Sequence, residues 1–130
     1  MLDHQINAIT HIVEPIAQYR AHEGNRPITD AEAKELIHFA KQAKFMVDGF
    51  LEIIDDLSYD KDRFEATIAR FDDDYDALRD FTKRLNPSIA SHHELLKLSN
   101  AILDGLIKVQ NELGLIVSQY EHHEKRPIRS

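Results

Sequence analysis

The sequence predicts an all-α fold, an antiparallel up-down-up-down four-helix bundle forming a single domain over residues 1–130. Three observations point there. Apolar residues recur every three or four positions through most of the chain, the period of a helix with one buried face. Only four glycines and four prolines punctuate the chain, too few for a fold built of many turns. Two Thr/Ser-x-x-Glu patterns, Thr29–Glu32 and Ser91–Glu94, have the form of capping boxes just ahead of apolar runs.

The first helix is expected over about residues 2–20, with Leu2, Ile6, Ile9, Val13 and Ile16 on one stripe. Pro15 lacks a backbone donor, so a kink or restart is expected there. "HEGNRPIT" reads as the loop that follows, and Ile28 is placed as a hydrophobic staple beside the Thr29 cap. The second helix is expected over about residues 30–57. Its stripe is Leu36, Phe39, Ala43, Met46, Phe50, Ile54 and Leu57, widened by Ala40, Val47 and Leu51. "DLSYD" breaks the pattern, and a third helix of about residues 60–85 carries Phe64, Ile68, Phe71, Tyr75, Leu78 and Leu85, ending ahead of Pro87. The fourth, over about residues 91–123, carries Leu95, Leu98, Ile102, Leu106, Val109, Leu113, Ile116 and Tyr120. Residues 124–130 read as a loose tail.

Composition narrows the function. With no cysteine there is no disulfide, thiolate metal site or cysteine nucleophile. No apolar run approaches the roughly 20 residues that cross a bilayer, and the N-terminus lacks the basic and apolar blocks of a secretory leader, so a cytoplasmic location is expected. The net charge of −7 is concentrated: between Asp55 and Asp80, ten acids stand against four bases. That field repels nucleic acid and attracts basic partners.

The centre of the acidic segment is "RFDDDYDALRDF", residues 70–81. Asp72, Asp74 and Asp76 match the first alternating ligands of a calcium loop, but Ala77 stands where the turn needs glycine and Lys83 where the site needs glutamate. Phe71, Tyr75 and Leu78 keep helical spacing through the run, so the acids belong to a helix face. Asp62, Asp72, Asp73, Asp76 and Asp80 fall on the arc away from the core and form the candidate docking face for a basic protein. Phe45, about 180° from Leu36 on its helix, is the candidate apolar anchor. Leu96, Leu103 and Ile107 lie about 100° from the main stripe of the fourth helix, and they form the candidate surface for a homodimer.

Two other functions have residues to carry them. His4, Asp55, Asp56, His122 and His123 fall at one end of the expected bundle, where imidazole and carboxylate together suit a transition metal. The pairs Glu32-x-x-Glu35 and Glu52-x-x-Asp55 resemble the acid pairs of magnesium-dependent all-α nucleotide pyrophosphohydrolases. On one continuous helix, however, Glu35 and Glu52 stand about 26 Å apart. Glu35-Leu36-Ile37-His38 is a lone Glu-x-x-His unit where a di-iron bundle needs two, and no nucleophile elbow or phosphate-binding glycine loop is present. The expected function is therefore a non-enzymatic interaction or regulatory module of inhibitor, immunity or adaptor type. It needs no cofactor and binds neither nucleic acid nor membrane.

Overall fold

A computed structural model of the chain describes residues 2–18 and 28–125, with side chains for 7–14, 16 and 28–121. Every regular element among them is helical: α1 (Leu2–Gln18), α2 (Asp30–Ile53) prolonged by a 3-10 turn (Ile54–Asp56), α3 (Lys61–Thr82) and α4 (Ala90–Lys125). None of these helices is long and apolar enough to cross a membrane.

Local chemistry sets the helix starts. Thr29 caps α2 reciprocally: its hydroxyl accepts from the Glu32 N–H at 3.1 Å, and the Glu32 carboxylate accepts from the Thr29 N–H at 2.9 Å. Asp60 caps α3 by accepting from the Arg63 N–H at 3.1 Å. The second expected capping box is not formed. The Ser91 hydroxyl donates across the bundle to Asp30 Oδ1, and Glu94 turns toward Lys41 at 3.9 Å. The helix has already begun, because the His93 N–H bonds to the Ile89 carbonyl at 2.8 Å. Helical assignment continues through Pro15 in α1, while the loop "HEGNRPIT" up to residue 27 and the tail beyond Lys125 lie outside the described residues.

The helices pack in the order α1–α2–α4–α3 around one core. Asn7 bonds Arg70 at 2.6 Å and Thr10 bonds Asp74 at 2.9 Å, so α1 and α3 run in the same sense. Asp30 beside Ser91 and Lys41 beside Glu94 give α2 and α4 a common sense. Gln110 on Ile68 and His92 on Asn86 show α3 and α4 to be opposed. Chain neighbours are thus not all side by side, as a simple ring would have them. α2 and α3 occupy opposite corners and meet across the core, where Phe50 and Phe71 pack edge to face at 6.1 Å. The connector explains how. Leu57 and Asp60 are extended, and four residues at about 3.3 Å each reach about 13 Å. That length matches the diagonal of a square of helices 8–10 Å apart.

The core holds Phe50, Phe64, Phe71 and Phe81 with Ile9, Ile16, Leu36, Leu78, Leu95, Ile102, Leu106 and Leu113, all under 2 % exposed. The stripe of α2 is rotated from the expected one. Ala33, Leu36, Ala40, Ala43, Val47 and Phe50 are buried, Met46 is half-buried, and Phe39 is 40 % exposed. Small residues bring α2 close to its neighbours and place Phe39 at the rim. Where α4 faces α2, a Cβ on Gly105 would lie 2.5 Å from Val47 Cγ1.

Candidate functional site: the acidic face of α3

α3 is held on three sides. Its core residues Phe64, Phe71, Leu78 and Phe81 are at most 1 % exposed. On one flank Arg70 and Asp74 engage α1, and on the other the Gln110 amide donates to the Ile68 carbonyl at 3.0 Å. These contacts fix the rotation of the helix, and the acids follow from it. Asp62, Glu65, Asp72, Asp73, Asp76 and Asp80 are all exposed and face away from the core. From Asp62 to Asp80 the row is about 27 Å long.

The charge of this face is only partly compensated. Asp80 pairs with Lys83 at 3.6 Å, both well exposed, a contact of the kind that contributes about 0.2–1 kcal/mol. Asp62, Asp72, Asp73 and Asp76 make no ion pair among the described residues. Asp72, Asp76 and Asp80 follow at intervals of four, with Cβ atoms about 5–6 Å apart, so they repel one another in the free protein. Asp62 in the first turn is favoured by the helix dipole. Arg79 in the last turn offsets the dipole where Asp80 opposes it.

Asp74 belongs to a different environment. It is 4 % exposed and accepts a hydrogen bond from the Thr10 hydroxyl, itself 3 % exposed. Burial pushes its carboxyl above the usual aspartate range. The Thr10 bond and Arg70 pull it back, while Glu14 and Asp73 add to the rise. Of the four aspartates between residues 72 and 76, one is therefore structural and three are surface charges.

The other candidate residues are not gathered here. Phe45 is 79 % exposed on α2, at the corner opposite α3, where it borders a shallow groove with His38, Lys41, Gln42 and Met46. Leu103 is 6 % exposed in the single chain and Leu96 is half-buried, because α4 lies between α2 and α3. Of that trio only Ile107, at 38 %, is open, so the three do not form a free apolar face. Asp55 and Asp56 are exposed on the 3-10 turn, while the side chains of His4, His122 and His123 lie outside the described residues. Among the described residues no group of three or more His, Asp or Glu converges as a metal site. α2 is continuous from Asp30 to Ile53, which keeps Glu35 and Glu52 about 26 Å apart and commits Glu32 to the cap.

A second polar centre lies at the end of the bundle where α2 and α4 begin. His92 is 2 % exposed. Its Nδ1 accepts from the Asn86 N–H at 3.0 Å, which leaves Nε2–H to donate to the Ile28 carbonyl at 2.9 Å. Beside it, the Ser91 hydroxyl and then the Lys34 ammonium hold the Asp30 carboxyl below the usual aspartate value. With both ring nitrogens engaged, His92 joins the α3–α4 connection to the entrance of α2 and is not available as a ligand.

Compared with protein-family models, curated proteins and solved structures, the chain shows no match, so its functional reading rests on its own residues.

Proposed function

We propose that this chain, with helices alternating in direction along the bundle, is a non-enzymatic interaction module that docks a basic protein on the outer face of α3. Inhibitor, immunity and adaptor proteins work through surfaces of this kind. The observation that carries the reading is the row Asp62, Asp72, Asp73 and Asp76, exposed and without ion pairs among the described residues. Such a row costs the free protein some repulsion, and a cationic partner relieves it. Charge complementarity of this sort acts chiefly on the rate of encounter, raising it by about 10- to 1,000-fold at low salt. Phe45 faces elsewhere and is not needed for this docking.

The test compares two baits, the wild-type chain and an Asp73→Lys, Asp76→Lys variant with the same circular dichroism and unfolding midpoint. Cross-linked capture from cells that make the protein should yield a basic protein on the first bait that is lost from the second. Recovery of the same proteins on both would demote the row to a solvated surface.

A further inference from the structure

The contact between α1 and α3 is unlike the rest of the core. Among the described residues α1 is the shortest α-helix, at 17 residues, and it packs chiefly on α2 and α3. Its apolar residues Ile9, Val13 and Ile16 are fully buried. Beside them lies a buried carboxylate, that of Asp74, with a single hydrogen-bond donor among the described residues, the Thr10 hydroxyl at 2.9 Å. An ionised carboxylate offers about four acceptor sites. The basic residue one turn away, Arg70, directs its guanidinium to Asn7 at 2.6 Å. Among the described residues the charges acting on Asp74 are Glu14 from α1 and Asp73 from α3, which disfavour its ionised form, and Arg70, which favours it in part.

We propose that α1 is a proton-tightened strap: it is held most firmly on α3 when Asp74 is protonated, and it is the first helix to open as Asp74 ionises. Docked against Thr10, the neutral acid needs little solvation. The buried carboxylate is left with one donor among the described residues and two nearby acids that Arg70 only partly offsets, and the opening that hydrates it lifts α1 away. Because the docked state favours the proton, the stabilisation is complete below the ordinary aspartate value of about 3.9 and is lost as pH rises through the higher value of the docked carboxyl. Opening uncovers the apolar seats of Ile9, Val13 and Ile16 on α2 and α3, while the contacts of α4 with those two helices stay intact.

Native-state hydrogen exchange on the full chain, from about pH 4 to about pH 8, tests this. In the wild type, protection of the amides from Ile9 to Val13 should fall as pH rises across that range, by more than any change at Ile102 to Val109 in α4. In Asp74→Asn, whose amide oxygen still accepts from Thr10, α1 protection should stay high and flat. Thr10→Val should lower α1 protection most where Asp74 is ionised. An equal fall in Asp74→Asn overturns the proposal. So does α1 protection equal to that of α4 at every pH, which would mean that α1 opens only with the whole molecule. If Asp74→Asn does not fold, wild-type NMR titration decides: the Ile9 and Val13 methyl signals must follow the Asp74 carboxyl, and signals that ignore it refute the strap.

Discussion

At the scale of single residues, the structure turns on a few close contacts that periodicity does not record. Gly105 is one. Its missing Cβ leaves room for Val47, whose branched side chain has little rotamer freedom in a helix. Gly105→Ala should therefore lower stability by about 1–2 kcal/mol in urea unfolding, even though alanine is the better helix former. Combined with Val47→Ala, it should cost less than the sum of the two single changes. Gly49 and Gly114, with open space where a Cβ would go, should each gain up to about 1 kcal/mol on change to alanine. His92→Ala should cost about 2–4 kcal/mol, because it removes two hydrogen bonds and leaves the Asn86 N–H and Ile28 carbonyl to find others. These residues were partly legible. On a helical wheel His92 lies about 60° from Leu95 and Asp74 about 80° from Phe64, inside or at the rim of the apolar arcs. Their partners, 64 residues away in each long-range bond, were not legible, since no local rule pairs Thr10 with Asp74 or Ile28 with His92.

At the scale of elements, the strongest local signals gave the nearest matches. The Thr29 capping box forms with Glu32 as its residue types require, and α2 starts at Asp30. The same pattern at Ser91 misleads, because a longer-range bond to Asp30 competes for the hydroxyl and the helix starts ahead of it. Ser91→Ala should consequently leave the start of α4 in place while raising the titration midpoint of the Asp30 carboxyl toward the ordinary aspartate value, as read by NMR. The stripe of α2 was legible to within about a fifth of a turn. Phe39 was counted with the core on size and spacing, yet the alanines at 33, 40 and 43 mark the face that approaches its neighbours. On α4, residues at 96 and 103 widen the apolar arc for the plainer reason that the helix touches both α2 and α3.

At the scale of the molecule, helix number and chain order were readable from period and punctuation, but the packing order was not. It depends on whether the short connector from Leu57 to Asp60 runs along an edge or across the diagonal, and both are within its reach. That choice sets Phe45 and the acidic row on opposite corners, so the expected face and its expected anchor are not adjacent. The acidic row itself was fully legible: its residues alternate with the buried ones at helical spacing, so burying Phe64, Phe71 and Leu78 is enough to expose them. The central claim is that these charges act together on a cationic partner. Its most direct test is the salt dependence of association with the captured protein, measured for the wild-type chain and for Asp72→Asn, Asp73→Asn, Asp76→Asn. The account predicts wild-type affinity that falls steeply with added salt, and a variant that binds more weakly at low salt with a much flatter dependence. Equal affinity and equal salt dependence for the two chains would contradict it.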